Sequence, residues 1–232
     1  MEMRQDTLKG HAIEKQSFAI IDQEACDKHR YSQEEWSVVR RMIHTSGDFD
    51  YNGITHFSAA AIAKGVAAIQ SGASVLCDTN MVAVGINSCR TAHFGIKVHS
   101  FIADEEVVVN AKQNGQTRAH EAISKAIRLG VVDGSICCIG NAPTFLLELL
   151  KRCKEGEARP ALILGFPVGF VSAKESKQEL MQLPPVIGCE WIVSSGRKGG
   201  SSLAVAAFHA LMGIAAKASN IKHDCANCMK KL

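Results

Sequence analysis

One segment of the sequence sets the pattern for the others: Ser135-Ile136-Cys137-Cys138-Ile139-Gly140-Asn141-Ala142-Pro143. Its apolar residues are nearly continuous rather than alternating, which is typical of a parallel strand buried on both faces. A short loop follows, and Pro143 then stands near the first turn of a helical pattern that runs to Lys154 and ends before Gly156. The segment therefore predicts a buried strand, a loop at its carboxyl end, and a helix.

The same succession of strand, loop and helix recurs on both sides of this segment. Compact apolar runs predict further strands at residues 17–22, 74–78, 97–101, 161–165 and 189–193. Apolar spacing predicts one helix that ends at His44 and others at residues 57–71, 80–86, 117–129, 172–181 and 201–217. This alternation indicates one doubly wound α/β domain, with a single, mostly parallel sheet and helices on both faces. The domain is expected to span residues 17–218, between a polar arm at 1–16 and a tail at 219–232 that contains Cys and Lys.

Composition narrows the class of protein. The 232-residue chain is long enough to bury a full core, and its net charge of +3 is too small and too evenly spread to indicate a nucleic-acid partner. No stretch reaches the roughly 18 apolar residues of a membrane span, and the polar N-terminus does not resemble a signal peptide. The nine cysteines are scattered and odd in number, which favours reduced thiols. These features predict a cytoplasmic protein that binds neither nucleic acid nor membrane.

Ligands of such folds bind outside the carboxyl ends of the strands, so the strand-to-helix loops are the candidate sites. Four loops carry unusual residues, at 77–81, 140–144, 165–171 and 194–202. The fourth combines glycines, a helix N-terminus and two cations, Arg197 and Lys198, which suits an anion with several carboxylates. The alternative is a glycine-rich turn needed for packing the helix on the strand. No loop matches a Walker or Gly-x-Gly-x-x-Gly pattern, so no nucleotide cofactor is expected.

His44 is the candidate proton donor. Ser32 and Glu35 have the spacing of a capping box, which predicts the start of a helix whose last turn contains His44. The helix dipole at that end favours the cationic imidazolium, and Arg41 would attract an anionic substrate. The alternative is that His44 only caps the end of the helix.

Two other groups of residues have weaker claims to chemistry. Asp48 and Asp50 form a possible carboxylate pair, although alternate loop carboxylates are usually solvated. His223, Cys225 and Cys228 are metal-type ligands, but a closed zinc site needs four. No metal site is therefore predicted.

With these residues in place, the chain resembles the precorrin-8X methylmutase family, which includes the cobalt-precorrin-8 methylmutases. The resemblance spans residues 17–217 in order, far more than a single motif. The matching segments are 17–21, 41–44, 77–82, 140–144, 165–171 with 175–177, and 196–201.

The resemblance implies a flavodoxin-like fold, a homodimer with active sites at the subunit interface, and no cofactor. It implies an isomerase of cobalamin biosynthesis that shifts a methyl group from C-11 to C-12 of (cobalt-)precorrin-8 and so forms hydrogenobyrinate or its cobalt form. His44 matches the position of the proton donor, and apolar residues of the third loop (Phe166, Val168, Phe170) are expected to pack on the ring. The expected substrate-binding residues are Ser17, Arg41, Asn87 (where some members have Thr), Arg118, Arg197 and Lys198.

Two other functions stay open at this point. A non-catalytic corrinoid or tetrapyrrole-binding protein would use the same loops and bind the product without converting the substrate. A flavodoxin-like FMN protein is less favoured, because no phosphate loop follows the first predicted strand.

Overall fold

The computed structural model describes residues 8–219 and contains one six-stranded sheet. The strands are β1 (Thr55–Phe57), β2 (Val75–Cys77), β3 (Val98–His99), β4 (Ile136–Ile139), β5 (Leu162–Gly165) and β6 (Glu190–Ser194). Their order is β1-β6-β5-β4-β2-β3, and every pairing is parallel except β1 with β6. The predicted α/β class with a mostly parallel sheet is confirmed.

Eleven α-helices surround the sheet within the described residues. They are α1 (Leu8–Glu24), α2 (Gln33–Ser46), α3 (Tyr51–Ile54), α4 (Ala61–Gln70), α5 (Asn80–Gly85), α6 (Ser88–His93), α7 (Glu105–Gln113), α8 (Arg118–Arg128), α9 (Pro143–Lys154), α10 (Ala173–Met181) and α11 (Ser201–Ala218). The helix predicted at 143–154 matches α9, and those predicted at 80–86, 117–129, 172–181 and 201–217 match within one or two residues.

The sheet separates two hydrophobic cores, which explains why its central strands are apolar at every position. Ile136 and Cys138 of β4 face one core with α2, α4 and α11, whereas Cys137 and Ile139 face the other with α8, α9 and α10. All four residues of β4 are buried. Helices therefore cover both faces, as a parallel sheet requires.

The expectation that no segment is long and apolar enough to cross a membrane was wrong for α11. This 18-residue helix meets that test by length and composition. It is, however, mostly buried, and it packs against α2, α4 and the strands β4 and β5. Its apolar character is that of a core helix.

The strand predicted at residues 17–22 was wrong, because this stretch lies in the middle of α1. Phe18 and Ile21 are buried while Ile20 is 45% exposed, which is the spacing of one helical face packed against α2. An apolar run of this length does not by itself distinguish a strand from a helix. The helix runs without a break across residues 16 and 17, where the arm was expected to meet the domain.

Strand β1 was not predicted. The sequence pattern predicts a loop at residues 50–55 and a helix from 57 onward, but Thr55–Phe57 pair antiparallel with β6, and His56 lies opposite Val193. Three residues are too few to show a pattern, and only the partner strand makes this segment extended.

Candidate active site

The loop after β2 is tied to the loop after β4 by a single carboxylate. Asp78 is fully buried, and its Oδ1 accepts the backbone N–H of Gly140 at 3.1 Å. Its Oδ2 accepts the N–H groups of Asn141 and Ala142, both at 2.7 Å. Burial raises the pKa of Asp78, whereas these backbone hydrogen bonds lower it to a smaller extent. The N–H groups of the loop that leads into α9 are thus used inside the protein rather than offered to an external anion.

The loops after β5 and β6 are also joined, here by a backbone hydrogen bond and a buried lysine. The Gly200 N–H donates to the Phe166 carbonyl at 2.9 Å, and the backbones approach so closely that a Cβ on Gly199 would lie 2.2 Å from that oxygen. The fully buried Lys177 donates its Nζ to the Lys198 carbonyl at 2.7 Å, and burial lowers the pKa of Lys177 to about 8. The four predicted loops therefore converge at one edge of the sheet.

The cations of the fourth loop do not form an open anion site. The Lys198 ammonium contacts Asp48 at 2.5 Å and Asp50 at 2.6 Å, and these two carboxylates raise its pKa. Asp48 and Asp50, considered above as a catalytic pair, are partners of this lysine. Arg197 is exposed and lies over the Phe170 ring at 5.5 Å. Lys198 is thus neutralised, whereas Arg197 remains accessible.

A cavity of about 690 Å³ opens beside these loops, between α2, α5, α6 and α11. Its wall includes Arg41, His44 and Thr45 of α2 together with Met81 and residues 84–88. The other side comes from five residues of α11: Ser201, Ser202, Val205, Ala206 and His209. Of the residues expected to bind substrate, the structure brings Arg41 and Asn87 together with His44 here.

His44 is positioned by the two ends of α2. The capping box between Ser32 and Glu35 is present, with bonds of 2.8 and 3.2 Å, as predicted. At the other end Gly47 has a left-handed conformation, φ 66°, and donates its N–H to the Ile43 carbonyl at 2.8 Å. His44 Nδ1 lies 3.0 Å from the Ser17 hydroxyl of α1. Ser17 is therefore the residue that orients the imidazole.

The prediction that His44 favours its cationic form was wrong for the unliganded protein. Its pKa is lowered from the ordinary value of 6.5, first by burial and second by the neighbouring Arg41 guanidinium, with Glu14 acting in the opposite direction. Desolvation and a nearby like charge both disfavour the imidazolium. The neutral imidazole is the favoured form at neutral pH.

Glu14 was missed by the sequence analysis. Its carboxylate is buried and accepts a hydrogen bond from Arg41 Nη1 at 2.7 Å. On a helix, Glu14, Ser17, Phe18 and Ile21 share one face, so a helical interpretation of residues 8–24 would have placed Glu14 beside Ser17. Because the pattern predicts a strand at residues 17–22, it does not place Glu14 on the same face as Ser17.

His209 was also missed. It lies on α11, is 8% exposed, and its Nε2 accepts the backbone N–H of Asn87 at 3.1 Å. Burial, followed by the charges of Arg90 and Arg41, lowers the pKa of His209 to about 4. The sequence did contain a signal, since His209 is the one polar side chain between Leu203 and Ala216.

Other predicted contacts are not assembled around this cavity within one chain. Arg118 is exposed on α8, whose buried residues lie in the core across the sheet from α2 and α11. Phe166 was expected to pack on a substrate but is fully buried in the core, while Val168 and Phe170 are 42% and 86% exposed. The described residues contain no cluster suited to a metal ion. The candidate ligands His223, Cys225 and Cys228 lie outside those residues.

Known proteins are similar to this chain over most of its length. Residues 12–214 match the sequence model of the family described as precorrin-8X methylmutase. The cobalt-precorrin-8 methylmutase of Leptospira interrogans is 48% identical and covers 93% of this chain and 98% of that protein. The enzyme of the same name from Priestia megaterium is 43% identical over 90% of each.

A solved structure is also similar. The precorrin-8X methylmutase of Thermus thermophilus superposes with a TM-score of 0.84 and 49% identity, covering 93% of this chain and 100% of that one. Similarity in sequence and structure extends over nearly the full length of both proteins. The chain therefore belongs to the precorrin-8X methylmutase family.

Proposed function

We propose that this protein is an isomerase that shifts the methyl group from C-11 to C-12 of precorrin-8, in its cobalt or metal-free form, during cobalamin biosynthesis. The observation that carries the proposal is the cavity in which His44, Arg41 and Asn87 meet, with Ser17 holding the imidazole. The relatives from Leptospira and Priestia are named for cobalt-precorrin-8, which supports the cobalt form as substrate.

The chemistry suits these residues. A methyl shift within one conjugated macrocycle leaves the atoms and electrons of the molecule balanced, so it needs no external nucleophile or oxidant and no cofactor. Transient protonation of the ring system by His44 would make the receiving carbon electron-poor and lower the barrier, and the return of this proton to His44 leaves a product that is an isomer of the substrate. Arg41 binds a peripheral carboxylate with the guanidinium hydrogens that Glu14 does not use.

We also propose that the working form is a cytoplasmic homodimer. Exposed apolar side chains, Met81 at 74% and Val84 at 85%, lie at the cavity wall, where a second copy would cover them. Arg118 cannot be assigned to the cavity of its own chain, so we propose that it binds substrate in the site of the other subunit. The seven cysteines within residues 8–219 are free thiols, which supports a reducing compartment.

The proposed function is tested by the absorbance change of precorrin-8 and, separately, of cobalt-precorrin-8 on addition of the protein. We expect the spectrum of the rearranged corrin to develop with at least one substrate, and the faster one identifies the natural form. A substrate spectrum that is perturbed by binding but does not develop further would support the corrinoid-binding alternative instead.

The pH dependence of the reaction follows from the His44 environment. If the imidazolium donates the proton, kcat/KM falls as pH rises through the pKa of His44 in the free protein. Above that pKa, a plot of log(kcat/KM) against pH has a slope of about −1. That pKa lies below 6.5, so the fall is expected to begin on the acid side of this value. Steady-state rates between pH 5 and 8 measure it, and a flat profile would contradict the assignment.

Substitution of Glu14 tests whether its carboxylate raises the pKa of His44. Glu14→Gln removes the carboxylate that raises the pKa of His44 and leaves Arg41 uncompensated, so the fall in kcat/KM should move to lower pH. The matched control is Asp22→Asn, which removes the carboxylate of another ion pair between α1 and α2, the one with Arg40 at 2.7 Å. The control should leave the profile in place, and an equal shift in both variants would remove Glu14 from this role.

A further inference from the structure

Two imidazoles from different helices line the cavity. His44 comes from α2 and is partly exposed, whereas His209 comes from α11 and is almost fully buried. His44 accounts for the proton transfer proposed above, and His209 has no part in that scheme.

The hydrogen bond at Nε2 identifies the proton state of His209. Because Nε2 accepts the Asn87 backbone N–H at 3.1 Å, it has no proton of its own, so the ring proton is on Nδ1. An imidazolium could not accept this bond. Nδ1 makes no hydrogen bond with any of residues 8–219, and it is not among the polar atoms closed off from solvent there. Its N–H is thus accessible, and the residue that carries it lines the cavity.

The surrounding charges keep this ring neutral. Arg41 of α2 and Arg90 of α6 both lower the pKa of His209, and His44 is the other titratable group in the same wall. Glu14 pairs with the far side of Arg41 and does not line the cavity. The pKa of about 4 lies well below the ordinary value for histidine. His209 therefore stays uncharged at neutral pH.

We propose that His209 is a substrate-positioning residue whose Nδ1–H donates a hydrogen bond to a carboxylate or carbonyl oxygen on the rim of the tetrapyrrole. This inference rests on the proposed function and extends it. A donor that cannot take up a proton holds the substrate without competing with His44 for the transferred proton. The Asn87 N–H fixes the ring and, with it, the direction of the donor.

Two substitutions separate the roles of the ring nitrogens. The amide nitrogen of His209→Asn lies near the position of Nδ1, so this variant keeps a donor toward the cavity and loses the acceptor for Asn87. The amide oxygen of His209→Gln reaches the position of Nε2, so this variant keeps that acceptor and loses the donor. Each variant thus serves as the control for the other.

Binding of hydrogenobyrinate, measured by absorbance titration, and KM for the substrate are the readouts. We expect His209→Gln to weaken binding and raise KM by roughly tenfold or more, with kcat little changed, as for a lost hydrogen bond to a charged group. We expect His209→Asn to stay close to the wild type. In the ¹⁵N NMR spectrum of the unliganded wild type at neutral pH, His209 should show a protonated Nδ1 and an unprotonated Nε2.

Several results would overturn the proposal. The reverse order of the two variants would make His209 only an anchor for the turn at Asn87. Equal losses together with a lower melting temperature would leave the two nitrogens without separate roles. A protonated Nε2 would exclude the donor at Nδ1.

Failure of the proposed function gives a different pattern. If the wild type binds hydrogenobyrinate but converts no substrate, the methylmutase proposal fails while the binding data still decide the role of His209. If the wild type binds no corrinoid, both proposals fail.

Discussion

His44→Ala is expected to lower kcat by a factor of roughly 10²–10⁴, the usual contribution of a positioned general acid, while corrinoid binding changes little. The side chain lies in the cavity wall with its Nδ1 held by Ser17 at 3.0 Å, so Nε2 is the nitrogen that can reach the substrate. Substrate carboxylates bound beside it would raise its pKa and populate the imidazolium in the complex. Single-turnover absorbance measures the loss, and a product titration measures binding.

The control for this prediction is His56→Ala. His56 belongs to the edge strand β1 and does not line the cavity. Its pKa is also lowered, first by partial desolvation of the ring and second by the charge of Arg30, although much of the residue is open to solvent. This variant should keep the wild-type rate. Turnover by His44→Ala within a few-fold of the wild type would exclude His44 as the proton donor.

The second large effect is expected on stability. Asp78→Ala should reduce the free energy of unfolding by about 3 kcal/mol or more, because it leaves three N–H groups of the loop at 140–142, one buried and two partly buried, without an acceptor. Part of the loss is offset, since burying the Asp78 carboxylate is itself unfavourable. Asp78→Asn should be intermediate, because one amide oxygen can still accept bonds from Asn141 and Ala142. Urea unfolding measures all three proteins.

Asp133→Ala is the matched control. This exposed aspartate also accepts a backbone N–H, from Arg159 at 2.8 Å, but it holds one donor at the surface, whereas the buried Asp78 carboxylate holds three. Its removal should cost about 1 kcal/mol or less. Equal destabilisation by the Asp78 and Asp133 variants would contradict the view that Asp78 organises the site.

Where sequence patterns succeeded, the signals were local and agreed with one another. The run Ile136–Ile139 is apolar throughout because both of its faces are covered, and Pro143 starts the following helix. Ser32 and Gly47 mark the ends of α2 and so place His44 in its last turn. Convergence of the four loops followed from parallel topology, in which the carboxyl ends of all strands lie at one edge.

The failures have a common physical origin in partners far apart in the chain. Residues 17–22 form a helix because Phe18 and Ile21 pack against α2, and Thr55–Phe57 form a strand because β6 lies beside them. Lys198 was expected to bind an anion, but Asp48 and Asp50, about 150 positions earlier, neutralise it.

The amino-acid sequence by itself therefore determined the α/β class, the edge of the sheet that bears the loops, and His44 as the candidate acid. Propensity, capping and hydrophobic periodicity act over a few residues, and those signals are readable in the chain. The tertiary structure alone decided the environment of that acid: the Ser17 bond, the Glu14–Arg41 pair, and His209 in the lining of the same cavity. Desolvation and Coulomb interactions depend on distances in space, and these arise only when α1, α2 and α11 pack together.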